Sequence, residues 1–285
     1  MTANNKKNVV ITGCSAGVGE SAAHYFAEQG WQVYAIVRKQ VDADKLINES
    51  RGVIKTCLAD VTDYKALQEV VNFVADDLGA QGLDALICNA GCGGSGPIEF
   101  LPIDELEMPI NINFYGTVYC NRLFLPLLRK AKGKIINLTS GSMCLAMPNL
   151  STYPAAKAAL EVYSRQLQAE VSHFGIRVIV VDPGHVKSRM TQTEPEQSKT
   201  NLAKLPPESF EFYGDIIENQ IRIVDDMIGS GKEPEDVAKV YYKIATSKNP
   251  KSFYAVGADG KVMRFLAKWA PEWVKTKVAD YIQTH

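Results

Sequence analysis

No run of basic residues occurs in the 285-residue sequence, and its formal net charge is −1. A nucleic-acid partner, which needs a concentrated positive face, is therefore not expected. No apolar stretch approaches the roughly 20 residues that cross a bilayer, so no transmembrane segment is expected. The opening MTANNKKNVV also lacks the apolar core of a signal peptide. Histidine is scarce: His24, His173, His185 and His285 stand at no metal-like spacing. The six cysteines, at 14, 57, 88, 92, 120 and 144, are scattered; only Cys88 and Cys92 are close, and glycine follows Cys92. No metal site is expected from them. Several lie in apolar runs, where reduced cysteine serves as a small buried hydrophobe, and a reducing cytoplasm fits that use. Internal repeats and low-complexity segments are absent as well, which removes solenoids and linkers.

What is present is an ordinary globular composition, 46% hydrophobic and 22% charged, in a chain long enough to build a core without staples. Short apolar runs alternate with helical patterns. Strand-like segments are Val9 to Thr12, WQVYAIV, VIKTCLAD, LDALICNAG, GKIINLTS, IRVIVVDPG and, last, SFYAVG. Helical periodicity follows the first strand up to Gly30, and appears over 64–78, 104–131, 155–173 and 234–246, with Pro109 and Pro126 marking a boundary or kinks in the third of these. Strands apolar on both sides and alternating with helices predict one α/β domain: a doubly wound parallel sheet of about seven strands, covered on both faces. Residues 189–232 break the rhythm with Pro195, Pro206 and Pro207 in polar sequence. An insert after a strand's carboxyl end stands where such folds bind ligands, and it reads as a substrate lid or a plain surface insertion.

The turn TGCSAGVG carries Gly13, Gly17 and Gly19 between a strand and a helix. Glycines there allow a tight turn and close approach of a phosphate to the helix N-terminus. The spacing G-x-x-x-G-x-G, preceded by Thr12, resembles that of the short-chain dehydrogenase/reductase family. Further marks agree in order: Asp60-Val61 at the third strand's end, Asn89-Ala90-Gly91 at the fourth, Asn113 in INFYGT, Ser140 at the fifth, Tyr153 thirteen residues on with Lys157 four beyond, and Pro183-Gly184 in DPGHVKS. Two positions depart: Cys88 stands where the family usually has a second Asn, and Ser188 where Thr is commoner. The resemblance covers about residues 8–190, implies a Rossmann-like fold, and is most similar to the 17β-hydroxysteroid and retinol dehydrogenase group. It implies nucleotide contacts from Gly13, Ser15, Gly17, Val18, Gly19, Asp60, Val61, Asn89, Ala90, Gly91, Pro183, Gly184, Val186 and Ser188.

Tyr153 and Lys157 are four apart, hence on one face if the segment is helical. A tyrosine with an ordinary pKa near 10 is a poor base, and a neighbouring ammonium favours its phenolate. The resemblance implies that Tyr153 is the acid/base of a hydride transfer, that Lys157 also holds the nicotinamide ribose, that Ser140 holds the substrate oxygen, and that Asn113 anchors a relay water. After the second strand stands Arg38, with Lys39 behind it and no acidic residue before Asp42. A guanidinium there suits a 2′-phosphate, and predicts NADP(H).

The family pocket would be lined here by Ser142, Met143, Met147, Leu150, His185 and Met190, with Phe212 and Tyr213 from the insert. That set is apolar and lacks a cationic cluster, so a hydrophobic ketone, aldehyde or alcohol is expected, steroid-, retinoid- or lipid-like among the candidates. A catalytically idle nucleotide-binding regulator and an epimerase or dehydratase remain as alternatives on the same motifs. The family often forms homodimers or homotetramers through helices near 104–131 and 155–173. The tail from 258 to 285 reads as a helical extension with Val262, Phe265, Leu266, Trp269 and Trp273 as a stripe. Such a stripe packs on its own domain in most proteins; a membrane surface, a second subunit or the pocket edge are the other uses.

Overall fold

The structure, a computed structural model, describes residues 6–144, 148–187, 205–227 and 231–257 and single positions between 261 and 277. Seven strands form one parallel sheet: β1 (Asn8–Thr12), β2 (Gln32–Val37), β3 (Ile54–Leu58), β4 (Ala85–Cys88), β5 (Lys134–Leu138), β6 (Arg177–Asp182) and β7 (Phe253–Ala255). Their spatial order is β3-β2-β1-β4-β5-β6-β7. The chain leaves β1 in one direction and returns on its other side at β4, so a crevice opens at their carboxyl ends.

Successive residues of β1 serve opposite faces. Val9 and Ile11 join a core with Ala22, Ala23 and Phe26 of α1 (Gly17–Glu28) and with Val237, Ala238 and Tyr241 of a late helix, Pro234–Thr246. Val10 faces the other core, among Leu67, Val70 and Val74 of α3 (Tyr64–Leu78), Phe124 and Leu127 of α5 (Thr117–Ala131) and Leu167 of α6 (Tyr153–Val171). Burial of each such side chain contributes about 1.5–3 kcal/mol, which fixes strand register because a one-residue slip would exchange the faces. Asp63 caps α3, accepting the N–H groups of Lys65 at 2.9 Å and Ala66 at 3.0 Å.

Three segments differ from the sequence expectation. Residues 104–131 divide into α4 (Ile103–Pro109), a π-helical stretch (Ile110–Gly116) and α5. The widened stretch begins directly after Pro109, which has no N–H to donate to the preceding turn. A helix absent from the sequence reading, α2 (Gln40–Glu49), buries only Ala43 and Leu46, too few apolar residues to make a clear period. Within the proposed lid, α7 (Pro207–Met227) is a regular helix, followed by α8 (Pro234–Thr246). Ile217 of α7 packs with Leu101 and Leu205 as a separate small core. Residues 189–204 and 228–230 of that insert lie outside the described residues. In the tail, Phe265, Trp269 and Trp273 are about two-thirds exposed, while Val262 and Leu266 lie outside the described residues.

Candidate active site

The glycine turn leaves β1 and enters α1 with Gly13 at φ +72° and Gly17 at φ +62°, the left-handed region that side chains resist. A Cβ on Gly13 would lie 2.7 Å from the Ala90 Cα, and one on Gly19 2.2 Å from the Gly13 carbonyl oxygen. The turn is therefore packed backbone on backbone. The Thr12 hydroxyl ties it to the loop after β4, accepting the N–H groups of Asn89 at 3.0 Å and Ala90 at 2.9 Å. Asn89 returns the link, its Nδ2 donating to the carbonyls of Thr12 at 3.2 Å and Gly13 at 3.3 Å. Ala16, just before α1, makes no side-chain cap, which leaves the first N–H groups of that helix for an anion. A Gly19→Ala substitution is expected to force the turn open: nucleotide affinity, read by fluorescence titration, should fall by about tenfold or more, with roughly 1–3 kcal/mol lost from stability.

A cleft of about 880 Å³ runs along the carboxyl ends of the strands. Its wall includes Gly13, Ser15, Gly17, Val18, Arg38, Asp60, Val61, Asn89, Ala90, Gly91, Pro183, Gly184 and Val186, and also Asn113, Ser140, Tyr153, Lys157 and His185. Gly19 is absent from the wall because it is packed behind the turn. Ser188, Met147 and Met190 lie outside the described residues. The wall does not include Ser142, Met143, Leu150, Phe212 or Tyr213. Ser142 and Met143 sit in a short 3-10 turn beyond Ser140, and Leu150 bridges to Gly96, closing the loop that frames the cleft. Phe212 is 69% exposed on α7. Tyr213 turns away to donate to Glu99 at 2.7 Å and to pack edge-on against Phe100. Sequence reasoning missed Cys92, Gly93, Gly94, Ser95, Met108 and Ile112, all on the wall. The signal was the glycine-rich GCGGSG after β4, which lets that loop fold back over the strand ends.

At one end, Arg38 and Asp60 face each other, Nη1 to Oδ2 at 3.8 Å. Partial burial opposes ionisation of Asp60, but the N–H and hydroxyl of Thr62 and the Arg38 charge outweigh it and hold the carboxyl below its ordinary range. Lys39 and Asp42 complete this end. Arg38 is 66% exposed, so its guanidinium is available at the rim.

At the other end, Asn113 is fully buried in the π-helical stretch. Its Oδ1 accepts the Cys92 N–H and its Nδ2 donates to the Cys92 carbonyl, both at 2.9 Å. This pair of bonds holds the glycine loop against α5's entry. Lys157 is 4% exposed and donates to the Leu138 carbonyl at 2.9 Å. Burial pushes its ammonium down to about 8, with Cys92 opposing the shift. Its Nζ lies 5.8 Å from the centre of the Tyr153 ring. Pro154 in the first turn starts α6 at Tyr153, which sets Tyr153 and Lys157 on one face. A Cβ on Gly91 would lie 2.7 Å from Asn113 Oδ1 and 3.6 Å from Lys157 Nζ, so the loop passes closely over both. The Ser140 hydroxyl accepts the Ser142 N–H at 3.2 Å. Beneath them Cys88, in place of the second Asn, donates its own bond to Asn121 Oδ1 at 3.3 Å. Burial raises the Cys92 thiol to about 11, with Lys157 working against the rise, so it stays a neutral thiol near pH 7. On the surface Glu20, His24 and Glu49 bring ligand atoms within 4.8 Å of one another, but Lys45 already bonds Glu20 and lies 3.9 Å from Glu49.

A glycine cradle that any Cβ would fill, an open helix N-terminus and a buried lysine in one elongated cleft fit a dinucleotide. The comparisons agree. A sequence model of the short chain dehydrogenase family matches residues 7–199. The chain is 30% identical to retinol dehydrogenase 5 of Homo sapiens, over 96% of this chain and 88% of that one. It is 32% identical to a 3-ketodihydrosphingosine reductase of Bacteroides thetaiotaomicron, over 93% of each. In architecture it is similar to a short chain dehydrogenase from Burkholderia cenocepacia solved in complex with NADP, at TM-score 0.73 and 20% identity, over 95% of this chain and 97% of that one. The family match and the cleft that carries its motifs lead to one conclusion: the chain belongs to the short-chain dehydrogenase/reductase family of oxidoreductases, which work with NAD or NADP.

Proposed function

We propose that this protein is an NADP(H)-dependent carbonyl reductase or alcohol dehydrogenase acting on a hydrophobic ketone, aldehyde or secondary alcohol. The observation that carries the reading is Lys157, buried at the cleft's floor on the same helical face as Tyr153 and sharing a wall with Ser140. The nicotinamide supplies or accepts the hydride. Tyr153 gives its hydroxyl proton to the carbonyl oxygen in reduction, and removes it from the alcohol in oxidation. Lys157 favours the phenolate left on Tyr153 and reaches the ribose side of the cleft. Ser140 donates to the substrate oxygen and keeps it within reach of the tyrosine. Asn113, through its two bonds to Cys92, holds the floor of the site and borders the path by which Lys157 is resupplied with protons.

The cofactor preference rests on Arg38 and Lys39, which offer a fork and a second charge to a 2′-phosphate. An Arg38→Ala variant is expected to lose roughly tenfold or more of its NADPH over NADH preference, read as the ratio of kcat/KM values, because a charge-assisted bond is worth about 1.5–3 kcal/mol. An unchanged ratio would remove Arg38 from this role. The substrate class rests on Met108, Ile112 and Cys92, which line the same cleft as Tyr153 and Lys157. Retinal, the aldehyde of retinol, and a 3-keto sphingoid base, chosen from the names of the two relatives, are carbonyl compounds of that kind and head the panel to be tested. The direct experiment is an NADPH absorbance screen over aliphatic, aromatic, steroid, retinoid and sphingoid carbonyls. Tight NADPH binding without turnover on any of them would favour an idle regulator instead.

A paired assembly through α5 and α6 in the cytoplasm belongs to the same reading. Tyr115 and Val162, 45% and 50% exposed, leave apolar surface on the π-helical stretch and α6 for it. No helix among the described residues is long and apolar enough to cross a membrane.

A further inference from the structure

Arg264, in the C-terminal extension, reaches the back of the candidate site. Its guanidinium forks onto Glu161, Nη1 donating to Oε1 at 3.2 Å and Nη2 to Oε2 at 2.5 Å. Its Nε donates to Asp182 Oδ2 at 3.3 Å, and its plane lies 3.9 Å from the centre of the Phe253 ring. One side chain thus joins α6, β6 and β7. Asp182 is 0% exposed, and Arg264 and Glu161 are 20% and 19% exposed, so both acids would stand nearly bare in the interior without this partner.

The acids it holds are placed beside groups of the cleft. Asp182 ends β6, and its other oxygen, Oδ1, accepts the Gly184 N–H at 3.0 Å, which shapes the Pro183-Gly184 turn on the cleft wall. A Cβ on Gly141 would lie 3.2 Å from Asp182 Oδ2, so that carboxylate also abuts the residue that follows Ser140. Glu161 lies one helical turn beyond Lys157 and two beyond Tyr153, on the face that both occupy.

We propose that Arg264 is a positioning residue: it clamps the helix bearing Tyr153 and Lys157 to the carboxyl end of β6, and through Asp182 sets Ser140 and the Gly184 turn relative to Tyr153. The inference rests on the catalytic roles proposed above. Its energetic logic is that of near-attack geometry, in which an error of about 1 Å can cost about 100-fold in rate.

The test uses the full chain carrying Arg264→Met, which keeps bulk but removes the charge and fork, and Arg264→Lys, which keeps the charge alone. Hydrogen exchange is read over the segments around Gly141 and Gly184, and kcat and KM with NADPH and a ketone from the screen. In a folded Arg264→Met protein, checked by circular dichroism, both segments are expected to exchange faster. The kcat value should fall by about tenfold or more, while KM for NADPH stays within about twofold. Arg264→Lys should recover part of kcat. Wild-type kcat, or unaltered exchange at both segments, would overturn the proposal. If Arg264→Met does not fold, Arg264→Lys decides by the same readouts. If the wild-type protein reduces no carbonyl, the proposed function fails, and the exchange measurement still decides whether the clamp exists.

Discussion

Tyr153→Phe is expected to lower kcat/KM for carbonyl reduction by roughly 10²–10⁴-fold, the span that a positioned acid or base contributes. The substitution removes one oxygen atom and keeps the ring, so the 5.8 Å contact between the Lys157 ammonium and the ring face persists. Nucleotide binding is expected to stay near the wild-type level, because the glycine turn and the Arg38 end of the cleft are untouched. The diagnostic result is therefore a split: NADPH titration unchanged, turnover gone. A variant that still reduces the ketone at the wild-type rate would remove the acid/base role from this residue. A variant that loses NADPH binding equally would show Tyr153 acting through the cofactor instead.

Lys157→Met is expected to abolish activity and yet stabilise the empty protein at neutral pH. The folded-state pKa near 8 lies below the ordinary 10.5, and burial is the main cause. Between those values the unfolded chain binds a proton that the folded chain does not, so this residue's contribution to stability rises with pH across the window. Below about pH 8 the buried ammonium carries its full penalty, on the order of 3 kcal/mol from a shift of this size. The bond to the Leu138 carbonyl, which methionine cannot make, returns about 1 kcal/mol or more of that. The net gain at pH 7 is then about 1–2 kcal/mol, and it should shrink as pH rises toward 10. Thermal melts of the wild-type and variant proteins from pH 7 to pH 10 test this. Parallel curves would mean that Lys157 titrates as an ordinary lysine. A site that is destabilising by itself but necessary for turnover is a common trade between stability and function.

Much of the fold was legible because its signals are local. Seven short apolar runs separated by helical periods forced a parallel sheet, and 234–246 matches α8 residue for residue. The candidate residues were legible for a different reason: their spacing along the chain mirrors the strand ends that carry them, from Gly13 after β1 to Gly184 after β6. What escaped were features whose cause lies elsewhere in the chain. α2 owes its place to two buried residues, Ala43 and Leu46. Ile112 reaches the wall from the widened turn that follows Pro109. Tyr213, expected on the pocket wall, is directed by contacts with Glu99 and Phe100, which no periodicity announces. The role of Arg264 is hidden for the same reason: it bonds residues 82 and 103 positions earlier in the chain.

The latch made by Thr12 has a kinetic side. Its hydroxyl joins β1 to a loop 77 and 78 residues later, across the seam where the strand order reverses. Non-local parallel pairings of this sort close late in folding, after the chain has met the entropy of a long loop. Until they close, the glycine turn has no opposing wall, and a partly folded chain offers a dinucleotide nothing to grip. Ligand bound across that seam therefore adds its free energy to the finished state alone, by RT ln(1 + [L]/Kd). Nucleotide supply in the cell would then govern how long each molecule survives as well as how fast it works.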